Sequence, residues 1–335
     1  MIQIQEAILH VFNAVSTVDV ISSRTLNMHD GVLLSYLENH IERGLKDPAA
    51  AHAKFINETD AKRKLAAFAE GEVSFVDYSQ DFATYFFEEL RNFEVEFNYH
   101  LFMVRFNDAQ GRPKLAILVM MDKINFTHSV EEGEDGSASA ALAIHRSIMP
   151  QPTQKAKGYA IVDLKDFSVR LFDFAIKFEK EKYMVFEDLV MGCVGEGSSR
   201  GNYNSIRTMT AVVCDEYGQD SVEAIGRAKA YIGENATKSD VVPVRELAEK
   251  VFPNSAIMQS SFVSESVVMN MPENILVEKD FALKQTASYK IVLDGDTTLT
   301  IPADYYNDPE RFEMHLEKDG TTTITLKGFE KVQSK

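Results

Sequence analysis

Cysteine is scarce in this chain, with only Cys193 and Cys214 present, 21 positions apart and outside any CxxC pair. Two are too few for a disulfide framework, and nothing in their spacing supports a redox pair. They read as two reduced thiols in a cytosolic protein. Long apolar runs are missing too, and none approaches the roughly 18–20 residues that a membrane helix needs. The opening MIQIQEAILHVFNAV has no basic region and no small-residue cleavage site, and Glu6 interrupts its apolar residues. It reads as a structural element and not as a signal peptide. Positive charge is in short supply: 35 Lys and Arg stand against 51 Asp and Glu, a formal net charge of −16. A field of that sign repels a polyanion. Any contact with DNA or RNA is therefore expected through a local basic patch or through a protein partner.

The usual signatures of catalysis are absent as well. No short Cys/His spacing closes a zinc tetrahedron. HExxH and the Walker phosphate loop do not occur, nor do SxxK-type motifs; GSSRG at 197–201 has the GxSxG form, but Ser198 and Ser199 simply follow glycines and no local context makes either a nucleophile. Gly192, Gly195, Gly197 and Gly201 lie close together, but not at the dinucleotide spacing, and read as a flexible inter-element loop. The acidic runs Glu131–Asp135 and Asp294/Asp296 lack the EF-hand ligand pattern. They read as a solvated loop and a hairpin turn. The eight histidines share no motif. No catalytic residue, cofactor or metal site is expected.

What is present is a globular composition, with 45% hydrophobic and 26% charged residues over 335 positions. That supports a packed core of two or three domains. The first segment leans to a strand. Helices are expected at about 28–43, 58–70 and 79–93. The first is capped by Asn27 or Asp30 and ended by Gly44, and the second is stopped by Gly71. In the third, Phe82, Phe86, Leu90 and Phe93 recur on one helix face. Tyr99–Phe106 and Leu115–Met121, joined by NDAQGRPK, read as an antiparallel hairpin. Lys157–Val162 and Val169–Phe178 are further strand candidates, and Glu131–Ala143 reads as an exposed loop. Helices follow at about 204–217, 220–232 and 243–251. Asp-Gly turns within YKIVLDGDTTLTIP and FEMHLEKDGTTTITLKG predict a small antiparallel β unit at the end. The expected class is α+β. The expected division is an α+β domain over 1–185, a mainly helical segment over 186–285 and a β unit over 286–335.

Two stretches carry no acid. One, from Gly136 to Val162, holds Arg146, Lys155 and Lys157 with His145; the other, from Gly197 to Cys214, holds Arg200 and Arg207 with Tyr203 between them. In so acidic a chain they are candidate phosphate-contacting patches. Lys62, Arg63 and Lys64 are a third. The plainer reading is ordinary loops and a solvated helix face, since a few cations make a thin footprint.

EAILHVF, LAILVMMDKINF, GYAIVDLKDF and TTTITLKGF resemble segments of the bacterial 37-kDa nucleoid-associated protein family (NdpA/YejK-like). Where that family carries an aromatic-rich helix ending in Phe-Leu-Gly, this chain has TAVVCDEYG. The resemblance implies an α+β, non-enzymatic protein of the cytoplasm and nucleoid. Its implied partners are DNA or DNA-associated proteins such as type II topoisomerase, with no membrane contact and a homo-oligomer left open. It transfers no site residue. Two other readings stand beside it: an acidic protein–protein adaptor that never touches nucleic acid, and an enzyme whose site is assembled from distant segments.

Overall fold

Partial alternation in the opening segment resolves as a strand, β1 (Gln3–Phe12), which buries Ala7, Ile8, His10 and Phe12. The computed structural model describes residues 2–14, 18–56, 58–132, 137–294, 297–317 and 320–329, apart from the side chains of residues 131, 146, 147 and 316. The fold is α+β and divides into two units, Met1–Gly197 and Ser198–Lys335.

In the first unit, β1 is followed by α1 (Gly31–Leu45), β2 (Ala51–Phe55), α2 (Asp60–Ala69), α3 (Phe75–Asn92), β3 (Tyr99–Asn107) and β4 (Pro113–Met121). Then come β5 (Lys123–Glu132), β6 (Ala138–Ile148), β7 (Gly158–Asp163), β8 (Val169–Phe172), β9 (Ala175–Phe178), β10 (Glu181–Met184), a π-helix (Val185–Met191) and β11 (Cys193–Ser198). Seven strands form one sheet in the order β1-β3-β4-β7-β8-β2-β11. β3 and β4 pair antiparallel from Tyr99 opposite Met121 to Asn107 opposite Pro113, as the apolar runs predict.

Those two strands are apolar almost throughout because both sheet faces are covered. Leu101, Met103, Leu115, Ile117 and Val119 meet Phe82, Phe86 and Leu90 of α3 and Leu65 of α2. Phe102, Val104, Phe106, Leu118 and Met120 meet Leu37 and Ile41 of α1 on the other face. The expected α3 stripe is thus a core stripe. Phe82 stacks on Phe86 at 6.2 Å between ring centroids, and Phe86 lies 6.3 Å from Phe186 of the π-helix.

Asp30 caps α1, its carboxylate accepting from Val32 and Leu33 N–H at 2.9 and 3.2 Å. Gly44 has a different role from the one expected. It sits inside the helix, where a Cβ would lie 3.0 Å from Ile161 Cδ1 and 3.2 Å from the Tyr159 ring. Its glycine is required by close helix–sheet approach, not by a left-handed cap. The α1 end is closed instead by Arg170, which donates to the carbonyls of Gly44 and Asp47 at 3.1 and 2.8 Å.

Two expected loops are ordered. Most of the Glu131–Ala143 segment belongs to a β ribbon, with β5 and β6 pairing from Lys123 opposite Ile148 to Glu132 opposite Ala138. Its alternation of small and apolar residues was masked by Ala and Ser. Glu134 and Asp135 of the acidic run lie outside the described residues, as does Asp296. The glycine-rich stretch also resolves: Gly192, at φ 62°, ends the π-helix, and Cys193–Ser198 form the sheet-edge strand β11. A Cβ on Gly195 would lie 2.7 Å from Glu187 Oε1, so here glycine permits packing as well as turning. The start of the π-helix is held from outside by Asp173. Its carboxylate accepts from Phe186 N–H at 3.0 Å and from Glu187 N–H at 2.8 Å.

The second unit holds α4 (Ser199–Glu216), α5 (Ser221–Asn235), β12 (Val241–Pro243), α6 (Val244–Val251), α7 (Ala256–Val268), β13 (Asn274–Leu276) and α8 (Lys279–Thr286). Ile206, Met209, Val213, Ile232, Leu247 and Phe262 are among its buried core residues. The chain continues through β14 (Ser288–Val292), β15 (Thr298–Pro302), α9 (Ala303–Tyr306), β16 (Phe312–Leu316) and β17 (Thr322–Leu326). The expected terminal hairpins are there as β14–β15 and β16–β17, with residues 295–296 and 318–319 of their turns outside the description.

Candidate nucleic-acid interface

α4 is capped by Ser198, whose hydroxyl accepts from Gly201 N–H at 3.1 Å. Ser199 and Asn202 face inward: Ser199 Oγ donates to Glu278 Oε2 at 3.2 Å, and the Asn202 amide donates to the Leu276 carbonyl at 2.8 Å. Tyr203, Ile206 and Met209 bury the same side in the helical core. That leaves Arg200, Asn204 and Arg207 exposed on the opposite side. Seven residues are close to two turns, so the two arginines share a stripe about 10.5 Å apart along the axis. Neither has an acidic partner among the described residues.

Lys229 of α5 adds a third cation near that stripe. Burial, and secondly the Arg207 charge, hold its ammonium below the usual lysine range. It donates to the Ser288 carbonyl and lies 4.7 Å from the Tyr289 ring centroid. The first turn of α4 carries no acid, so its partial positive charge adds to the stripe.

The other expected patch is placed differently. Lys155 binds Asp47 at 2.6 Å and lies 3.1 Å from the Phe172 ring centroid. Burial pushes Asp47 up, but hydrogen bonds from Lys155, Ala49 N–H and Tyr159 outweigh it and hold the carboxyl below its usual range. Lys157 is exposed, 5.5 Å from the Phe174 ring centroid, on a cleft of about 610 Å³ whose lining includes Glu94, Glu96 and Glu179. Arg146 lies on β6, and its side chain is outside the described residues. Lys62, Arg63 and Lys64 are each paired with carboxylates of Glu58, Asp60 or Asp81, at 2.6 to 3.4 Å. Helical i, i+3 and i, i+4 spacing accounts for the pairs with Glu58 and Asp60.

Sequence reading missed the β5–β6 ribbon. Ile124, Phe126, Val130, Leu142 and Ile144 are solvent-exposed on it, between 51% for Ile144 and 73% for Leu142. Phe126 faces Ile144 and His128 faces Leu142 across the pair, so these side chains share one face. The period-two signal was in the sequence, but which face meets a core was not.

Among the described residues, no three His, Cys, Asp or Glu side chains come together in a way that could hold a metal ion. Both cysteines are buried, and burial pushes the Cys193 thiol up to about 12, far from a reactive thiolate. No helix among the described residues is long and apolar enough to cross a membrane.

A covered antiparallel sheet joined to a helical unit defines an α+β protein whose distinguishing groups are surface features: a cationic helix stripe and an apolar ribbon. The chain belongs to the family described as nucleoid-associated protein YejK, whose model matches residues 8–333. No curated protein matches the chain significantly.

Proposed function

We propose that this protein is a non-enzymatic component of the bacterial nucleoid that touches DNA phosphates through the exposed stripe of α4. The observation that carries the reading is the pairing-free geometry of Arg200 and Arg207, on a helix whose first four turns lack acids, in a chain of net charge −16. Two or three phosphate contacts release two or three counterions. The salt dependence of DNA affinity is then expected to be shallow, with a log–log slope of about −2 to −3.

The test is duplex binding by the full chain across a salt series. Arg200→Glu with Arg207→Glu is expected to weaken binding by about tenfold or more at low salt, and to flatten the slope by about one per arginine removed. Lys155→Glu with Lys157→Glu is the comparison, and a smaller effect is expected because Lys155 is already committed to Asp47. An unchanged slope in the arginine variant would rule out the α4 stripe.

The ribbon favours a second reading, in which DNA-processing machinery such as a type II topoisomerase is reached by protein contact. An exposed apolar face of this kind is a common mark of a protein-binding surface. Phe126→Ser with Leu142→Ser is expected to abolish capture of such an enzyme from nuclease-treated lysate while leaving duplex binding intact. Loss of both would show that the two contacts are not separate.

A further inference from the structure

A cavity of about 360 Å³ opens between α2, α3 and the π-helix. Its size lies in the range of small-molecule sites. Three aromatic side chains line it, Tyr78, Phe82 and Tyr85. Tyr85 is anchored by its hydroxyl, which donates to the Leu189 carbonyl at 3.0 Å. Tyr78 is only 5% exposed, stacked on Phe68 at 4.9 Å, and its hydroxyl has no hydrogen-bond partner among the described residues. Tyr78 lines the site together with Asp60, Asp81 and Asp188. The ring hydroxyl feels this charge: burial first, and Asp81 second, raise the Tyr78 pKa.

One cation is already drawn in. Lys64 Nζ lies 2.7 Å from Asp81 and 3.4 Å from Asp60, and its side chain is 45% exposed. Arg63 also holds Asp60, at 2.8 Å, so two cations stand against the three carboxylates Asp60, Asp81 and Asp188 and the cavity keeps a net negative charge. An aromatic wall attracts a cation through the negative ring faces. A carboxylate rim adds a charge-assisted hydrogen bond, and the free Tyr78 oxygen can accept another from an N–H group. An anion would meet the carboxylates, and a neutral apolar group would leave the Tyr78 hydroxyl without a partner.

We infer that this cavity binds an alkylammonium or guanidinium group carried on an apolar stem. The stem lies against Phe82 and Tyr85, and the cationic head sits among Tyr78, Asp81 and Asp60, in competition with Lys64. The group arrives either as a lysine or arginine side chain of a basic polypeptide or as a free amine. The site is independent of the α4 stripe and stands whether or not the protein contacts DNA.

The experiment is a chemical-shift titration of the full chain with n-pentylammonium, with n-pentanol as the neutral isostere. The ammonium is expected to bind about tenfold more tightly than the alcohol, since only the charged head uses the rings and carboxylates. Lys64→Gln removes the competitor and is expected to tighten ammonium binding severalfold. Asp81→Asn is expected to weaken it severalfold. Both positions are half-exposed, and far-UV circular dichroism confirms that each variant is folded. Opposite shifts in the two variants support the site. Equal binding of ammonium and alcohol, or shifts of the same sign in both variants, overturns it. An N-acetylated lysine-containing peptide and a free diamine form the last two arms, and the tighter of the two identifies the source of the cation.

Discussion

Acidification from pH 7 to pH 4 is expected to remove several kcal/mol of stability from the first unit, because two histidines are buried in their neutral form. His10 is fully buried in β1, with Nδ1 accepting from Ser22 N–H at 3.0 Å. That bond places the ring proton on Nε2, which is buried without a partner. His40 in α1 packs edge-on to Tyr36 at 4.7 Å, and its Nε2 is likewise unpartnered. Burial lowers both from 6.5 to about 4, and the neighbouring Arg43 charge acts in the same direction on His40. The unfolded chain therefore binds more protons between pH 6.5 and pH 4. The stabilising contribution is fully present above 6.5 and is lost progressively down to about 4. A shift of this size corresponds to roughly 3 kcal/mol for each ring. Urea melts across that window check the slope. His40→Leu is expected to remove about half of the acid-side loss, whereas an unchanged pH profile in this variant would show that His40 does not titrate on unfolding.

Asp173→Ala is expected to destabilise the same unit by about 2–4 kcal/mol. The substitution leaves the N–H groups of Phe186 and Glu187 without their acceptor, at about 1–3 kcal/mol each. Phe186 is fully buried, so water does not readily replace the carboxylate there. The π-helix that these amides begin forms one wall of the aromatic cavity, so the substitution should weaken pentylammonium binding as well. Asp173→Asn keeps an acceptor oxygen and is expected to recover about half of the stability. Amide exchange at Phe186 and Glu187 reads the effect locally: faster exchange in the alanine variant than at distant core amides is the expected result. Unaltered protection at both amides would show that other acceptors replace Asp173.

Strong local signals were legible in the chain. The apolar runs of β3 and β4, the four-residue spacing of Phe82, Phe86 and Leu90, the Asp30 cap and the Gly71 stop all state a local conformation directly. So do the terminal hairpin strands. Where the signal was ambiguous, sequence reading went astray. Ala and Ser dilute the alternation of β6, so a strand read as a loop. Gly44 and the run from Gly192 to Gly201 read as breakers. At Gly44 the absence of a side chain answers Ile161, a neighbour distant in sequence, and at Gly195 it answers Glu187 of the π-helix that folds back against the strand. The cationic residues were found by composition alone, but composition does not say which are already neutralised. Lys155 meets Asp47 and Lys64 meets Asp81 only because the chain brings separate elements together.

By itself, the sequence determined the α+β class, the scarcity of positive charge and the acidic field of net charge −16. These follow from periodicity, spacing and net charge, which are properties of the chain whatever its fold. Only the tertiary structure decided which arginines stand free on α4, that an apolar ribbon face is left uncovered, and that Tyr78, Asp81 and the π-helix enclose one cavity. Each of these depends on contacts between residues far apart in the chain, and burial and pairing are set by those contacts rather than by local pattern.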